Sequence, residues 1–464
     1  MKCQICVLLL CLAAFVSRSV AQPGTMRLDY FHTGNATQEM FSIDRVVIEP
    51  LPWPGDLAKA VDHSNLGVYF FEVRDQATGK LLYSRGFNSI YDEWVTTDEA
   101  KTRNRTFSES LRFPAPSAPV NVVLKERKDG VFQQVWTTAI DPKDKFIDTA
   151  KPPSPGPLMT IQKTGPSPEK VDLLILGDGY TRGERSKFEK DARRFTEVLF
   201  STSPFREHRQ DFNVWALCPP SQESGISRPS TGIHRRSALG ASYDTFDSER
   251  YILTTDNRDL RDVASYAPYE FIEILTNSNT YGGGGIFNLY ATVAAGSKWA
   301  PYVFVHEFGH HFAGLADEYY TSDVAYESPA IKSEPWEPNV TALLDPANLK
   351  WKDLVTKGTP IPTPWHKTEF EAYERQIQQE RRQLRAQNRP EGEMDALFER
   401  EKQQEDKLLS SDTYARDVGA FEGANYEAHG YYRPQENCIM FTRYDKFCAV
   451  CRRAIERIIG MYSS

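Results

Sequence analysis

The stretch that most constrains this chain is WAPYVFVHEFGHHFAGLADEYY, Trp299 to Tyr320, with three histidines, two glutamates and one aspartate. It reads as a long helix. His306 and His310 are four positions apart, so both imidazoles stand on one helix face, one turn from each other. Glu307 sits beside the first. This is HExxH: two neutral imidazoles that bind Zn²⁺ well, and a carboxylate off the metal that takes a proton from the bound water. Catalytic zinc usually keeps three protein ligands and one open position. Gly314 can end the helix in a left-handed backbone conformation, after which the chain turns back and Asp317 arrives three residues later. Asp317 is the candidate third ligand, and the adjacent Glu318 is the alternative. His311 is five residues from His306 and points about 140° away around the helix, so it packs or hydrogen-bonds rather than shares the metal.

The first 21 residues, MKCQICVLLLCLAAFVSRSVA, begin with Lys2, carry a short apolar run and end in Ser19-Val20-Ala21. They read as a secretory signal removed at about Gln22, and the run is too short to span a bilayer. The protein is expected to be exported: periplasmic, cell-surface or extracellular. No transmembrane segment is expected once the signal is gone. Three of the seven cysteines leave with it, and Cys218, Cys438, Cys448 and Cys451 remain. An even number in an exported chain predicts disulfide bridging. Cys438 to Cys448 is the expected pair, with Cys451, one turn from Cys448, the other choice of partner. The formal net charge is −8 and no basic tract appears, which argues against nucleic acid as a partner.

Residues 22–155 read as an N-terminal β-sandwich domain. VVIEP, LGVYFFEVRD and VNVVLKER are strands, and QATGK and KDG are turns between them. His32 and His63 are isolated there and read as ordinary packing or surface residues. The Pro-rich DTAKPPSPGPL, Asp148 to Leu158, is the expected joint. Residues 156–464 then alternate strand and helix: VDLLILGDGYT, RSKFEKDARRFTEVLF and DFNVWAL predict an α/β domain. Ile286 to Ala294 predicts one further strand, entered by four glycines and read as an edge along which an extended peptide adds. About 367–405 is a charged helical insertion broken at Pro390 and Gly392, expected either as a protruding helical hairpin or as an ordered insert, and read as a solvated insertion more than as a substrate-guiding arm.

Downstream, NCIMFTRYDKFC places Met440 in a short apolar step, where an unbranched, soft side chain can floor a metal site. HEFGHHFAGLADEYY together with this CIM resembles the metzincin metallopeptidases, and more narrowly the M64 family, known as the IgA peptidase family. The pattern HExxHxxxGxxDE is specific to that family. It departs from the usual metzincin spacing, since Ala313 stands where the glycine is expected and Gly314 comes one residue later. The resemblance implies a bacterial secreted member with an N-terminal β-domain before a metzincin-like zinc peptidase domain. It implies one catalytic zinc on His306, His310 and Asp317, Glu307 as the base and Met440 as the Met-turn residue. The family name does not establish immunoglobulin as this chain's substrate.

The site predicts a secreted zinc endopeptidase acting on a protein or peptide substrate, with Glu307 as general base. The tetrahedral oxyanion needs further donors. Tyr444 is the candidate transition-state stabiliser, with Tyr426, His429, Tyr431 and Tyr432 also near in sequence. Two other readings share these residues. One is a non-catalytic, zinc-containing binding protein, against which Glu307 argues. The other is a zinc amidase acting on cell-wall peptides.

Overall fold

The computed structural model describes residues 22–322 and 333–463, so the expected signal segment lies outside the described residues. The first strands are β1 (Gly24–Asn35), β2 (Gln38–Pro52), β3 (Tyr69–Asp75) and β4 (Leu81–Phe87), followed by the short helix α1 (Ile90–Trp94). Next come β5 (Arg105–Pro114), β6 (Val120–Lys128) and β7 (Val131–Ile140). Strand β5 shows why they pair: Phe107, Glu109, Leu111 and Phe113 alternate inward with polar residues outward. Two antiparallel sheets result, ordered β2-β1-β5 and β4-β3-β6-β7. Leu28, Tyr30, Leu111 and Phe113 of the first meet Phe71, Val73, Val122 and Leu124 of the second in one apolar core. This is the expected sandwich.

The second part is built on β8 (Met159–Gln162), β9 (Val171–Asp178), α2 (Arg185–Ser201), β10 (Phe212–Leu217), α3 (Asn257–Ala264), β11 (Phe271–Thr276), β12 (Gly283–Ile286), β13 (Tyr290–Ala294) and α4 (Ala300–Ala313). The strands form a six-stranded mixed sheet ordered β12-β13-β11-β9-β10-β8. Its centre is parallel, and β12 and β8 run antiparallel at the two edges. Every residue of β9, β10 and β11 is buried, as a parallel sheet covered on both faces requires. One face carries α2, α4 and the terminal helix, through Phe195, Phe304, Phe308, Phe312 and Ile455. The other is covered by Leu260 and Ala264 of α3 and also by Ile90, Tyr91 and Trp94 of α1. The N-terminal part thus supplies part of the cover on one face of the second sheet. Fully buried Arg27 ties the same junction, with Asp29, Glu49 and Asp262 at 2.8, 3.2 and 2.5 Å.

After the α4 region come α5 (Lys367–Ala386), α6 (Glu391–Ser410), the hairpin β14 (Phe421–Ala424) with β15 (Glu427–Arg433), and α7 (Ala449–Tyr462). The charged insertion is a helical hairpin, but not a solvated projection. Phe370 and Ile377 of α5 and Met394, Leu397, Phe398 and Leu409 of α6 join the main core. The apolar stripe at helical spacing, masked in composition by the charges around it, binds the hairpin down.

The predicted strand Ile286–Ala294 is two strands. Phe287, Asn288 and Leu289 turn the chain, with Asn288 at φ 55°, and the glycine run itself is the edge strand β12. The glycines lie against α4 and its neighbours. A Cβ on Gly283 would stand 2.5 Å from Val303 Cγ1, and one on Gly285 would stand 2.3 Å from the Glu307 carbonyl oxygen. Gly283 and Gly285 are therefore what allows a strand to lie directly against the HExxH helix, while Gly282 and Gly284 make the same room for Tyr243, Tyr251 and Ile252.

Candidate metal centre and active-site cleft

Helix α4 starts with Pro301 in its first turn and stops at Gly314, whose φ of 59° and ψ of 38° are left-handed. It is buried along most of its length, which holds the ligand face at a fixed height above the sheet. A Cβ on Gly309 would stand 3.1 Å from Met440 Sδ and 3.2 Å from Phe447 Cε1. Met440 is fully buried and packs against α4 at Gly309, one residue before His310.

Beyond Gly314 the chain doubles back, and Asp317, not Glu318, reaches the imidazoles. Asp317 Oδ1 is 3.0 Å from His306 Nε2 and 3.2 Å from His310 Nε2, and the two Nε2 atoms are 3.1 Å apart. The outer nitrogens are engaged elsewhere. His306 Nδ1 donates to the Ile439 carbonyl at 2.9 Å and His310 Nδ1 to the Leu315 carbonyl at 2.5 Å. With Nδ1 engaged as donor, each ring turns its Nε2 toward the other and toward a carboxylate oxygen. Buried Asp317 Oδ1 accepts a well-aligned hydrogen bond from neither ring. Two imidazole Nε2 atoms and a carboxylate oxygen this close, with no other group between them, suit a positive charge at their centre. A tetrahedral cation about 2.0–2.1 Å from each would space them about 3.3 Å apart, so the residues fit a zinc-like ion.

The electrostatics carry the same demand. Burial works against ionised Asp317, but His310 and His306 outweigh it and hold the carboxyl well below its ordinary range. Burial likewise works against protonated His310, yet Asp317 and Glu307 lift the ring to about 9. A proton takes the central position when no metal does. Tyr426 donates to the second oxygen, Asp317 Oδ2, at 2.6 Å and fixes the carboxylate's rotation. Glu307 is half-buried beside the histidines, its carboxylate within 4.8 Å of their ligand atoms. Burial pushes it up from its ordinary value while His306 and His310 pull it down, and the net direction is up.

These residues open into one cleft of about 280 Å³. Gly285 of the edge strand lines it, as do Arg250, Tyr319 and Tyr426, and Asn88 and Glu93 from the N-terminal part. Glu374, Glu401 and Glu405 of the helical hairpin form another wall, with Arg443 bonded to Glu401 at 2.6 Å. Arg250 donates to Tyr319 Oη at 3.3 Å. His311 is fully buried and bridges two strands: Nδ1 donates to the Ile286 carbonyl at 3.0 Å and Nε2 accepts from Ile272 N–H at 3.1 Å. Burial holds it down at about 3, so it stays neutral. His32 is fully buried between Glu109 and Glu39, a packing residue as expected.

Three expected placements change. Tyr444 does not reach the cleft; it lines a separate depression with Asn437, Lys446 and Arg452, because Arg443 takes the inward position in that turn. Arg250 and Tyr319 are the polar groups by the histidines instead. Arg250 lies far upstream in SERYILTT, where no local spacing could reveal it. Glu318 faces away from the histidines. The expected Cys438–Cys448 disulfide is not formed: Cys218, Cys438, Cys448 and Cys451 are all free.

A family model described as IgA Peptidase M64 matches residues 159–459, and one described as Peptidase M64 N-terminus matches residues 18–137. No curated protein matches the chain.

Proposed function

The chain belongs to the M64 peptidase family and is a metallopeptidase, a hydrolase of peptide bonds, and on that footing we propose a secreted zinc endopeptidase with Glu307 as general base. The observation that carries the reading is the convergence of His306 Nε2, His310 Nε2 and Asp317 Oδ1 in an open cleft that also holds Glu307. In this reading those three residues hold the metal. Zinc bound there supplies Lewis acidity and an activated water.

The chain's own residues do the rest. Glu307 accepts a proton from the attacking water and passes it to the leaving amine. Its raised affinity for the proton, set by burial, suits a group that must take one up and then release it. Arg250, held by Tyr319, presents positive charge to the oxyanion. Tyr426 keeps Asp317 in one rotamer. The outward edge of β12 at Gly285 pairs with an extended substrate through its backbone groups. Zinc as the metal, the leader at residues 1–21, export, and the division at about residue 155 are parts of the same proposal. Among the described residues no helix is long and apolar enough to cross a membrane.

The test is kcat/KM of the metal-loaded protein on quenched peptides and a denatured protein, with cell-wall peptides alongside. Cleavage within the polypeptides, abolished by chelation and restored by zinc, supports the endopeptidase. Hydrolysis confined to cell-wall peptides selects the amidase instead.

A further inference from the structure

The three C-terminal cysteines and Glu318 meet in a buried cluster behind the cleft. Their ligand atoms, Glu318 carboxylate and Cys438, Cys448 and Cys451 Sγ, all lie within 4.8 Å of one another. Glu318, Cys438 and Cys451 are fully buried and Cys448 is 4% exposed. We propose that this cluster is a second, closed metal site of structural type, binding one zinc-class cation through three thiolates and one carboxylate.

Geometry is the first argument. A tetrahedral zinc with sulfur about 2.3 Å away sets two sulfurs about 3.8 Å apart and a sulfur and an oxygen about 3.5 Å apart. Cys438 Sγ and Cys451 Sγ are 3.8 Å apart, and Cys451 Sγ and Glu318 Oε1 are 3.4 Å apart. Cys448 Sγ stands 4.0 Å from the same oxygen. A disulfide would join only two of the sulfurs, and would leave one thiol and a buried carboxylate facing it.

The surroundings are the second argument. Asn339 Nδ2 donates at 2.9 Å to Glu318 Oε1, the oxygen that faces the sulfurs, while the buried Oε2 has no partner, so the carboxylate's charge is left uncompensated in a closed pocket. Backbone amides face the sulfurs: Cys448 N–H donates to Cys438 Sγ at 3.2 Å and Cys451 N–H to Cys448 Sγ at 3.4 Å. Cys448 is the N-cap of α7, so the positive end of that helix faces the anionic cluster. Soft thiolates with tetrahedral spacing and no open position favour zinc in a structural role.

The position explains what the site is for. Cys438 begins the turn that carries Met440, and the Ile439 carbonyl in that turn holds His306 Nδ1. Glu318 follows Asp317 directly, and its N–H donates to the Met440 carbonyl at 2.8 Å. One cation would therefore pin the loop that delivers Asp317 to the turn that floors the histidines, the work expected of the disulfide.

The inference is independent of the catalytic reading and can be tested apart from it. Full-length protein and the His306→Ala/His310→Ala variant would be loaded with zinc, or with cobalt as a spectroscopic probe, and metal per chain measured. Two ions per wild-type chain are expected, and one in the histidine variant. That remaining ion should show sulfur neighbours in zinc-edge X-ray absorption and a thiolate-to-cobalt charge-transfer band. Cys438→Ser/Cys451→Ser should lose that band. Should that variant not fold, the histidine variant decides alone. A histidine variant without any sulfur-bound metal, or native peptide mapping that finds a disulfide among the three cysteines, would overturn the proposal.

Discussion

Asp317 and Glu318 are adjacent acids on one loop, and they enter two opposite environments. Asp317 turns into an open cleft, toward two imidazoles, with Tyr426 behind it and a half-buried carboxylate, Glu307, beside it. Glu318 turns into a closed pocket, toward three sulfurs, with Asn339 as its donor. The open cluster leaves room for a reacting group next to a base. The closed one spends every donor on holding the chain together. The contrast teaches that an HExxH site needs two things from the loop after its helix: a third ligand, and an anchor that keeps that ligand in place.

The largest effect separating the two regions should come from Glu307→Gln. The amide matches the carboxylate in size and, in the proposed scheme, is not a ligand, so metal content and fold should survive. Hydrolysis should fall about 10²–10⁴-fold, the usual contribution of a general acid–base group. Wild-type kcat/KM with a full complement of metal would remove Glu307 from the mechanism.

Next in size is the paired comparison of Asp317→Asn with Glu318→Gln. The first should lower metal affinity at the cleft by about 10–100-fold or more and abolish activity, with the melting temperature little changed when both proteins are compared without metal. The second should do the reverse, lowering thermal stability while the cleft still binds metal when the protein is folded. Identical profiles for the two variants in calorimetry and metal titration would erase the distinction drawn between the clusters.

Gly309→Ala tests the floor that the two regions share. Its Cβ would press on Met440 Sδ and Phe447, and overpacking of this kind costs about 1–3 kcal/mol. Urea denaturation should show the loss, and Met440→Ala in the same chain should recover part of it. A neutral Gly309→Ala would mean that the helix and the Met turn are looser than their contacts imply.

The smallest predicted effect is a pH dependence beside the closed cluster. Glu436 is fully buried, and neither carboxylate oxygen has a hydrogen-bond partner. Burial, then Asp412, push its carboxyl from 4.5 up to about 8, against the pull of Arg433. The folded state thus holds the proton more tightly than the unfolded one. Stability from this group is present below about 4.5 and is lost as pH rises toward about 8. Glu436→Gln removes that loss, so the variant should gain on the wild type with rising pH, by on the order of 1 kcal/mol after relaxation. Parallel stability curves from pH 4 to 9 would refute it.

Much of the site was legible from local spacing. His306 and His310 share a helical face by arithmetic, with Glu307 beside them, and Gly314 marks the stop that the backbone takes. Met440 could be named because a short apolar step follows a cysteine in NCIM. Spacing after Gly314 put Asp317 ahead of Glu318 but left the second as an alternative, because adjacent residues on a loop have no periodicity to sort them. Their sorting depends on Met440, whose carbonyl accepts the Glu318 N–H, more than a hundred positions downstream. Arg250 was invisible for the same reason, and Tyr444 misleading, since a turn sends neighbouring side chains to opposite sides. In the fold, strands and helices followed period and turn residues. The edge position of β12 did not, because a run of glycines reads as a loop until a helix is found lying against it.

By itself, then, the chain determined what short-range geometry determines: the sandwich strands, the α/β alternation, the metal-binding helix and its cap, and the residue types of a hydrolytic centre. Tertiary structure alone decided which polar groups line the cleft, that Glu318 turns away from the histidines, that the charged hairpin is a wall of the cleft, and that the three cysteines converge on Glu318 rather than pair. These outcomes depend on contacts between segments far apart in the chain, and such contacts are set by how whole elements pack, not by the spacing within any one of them.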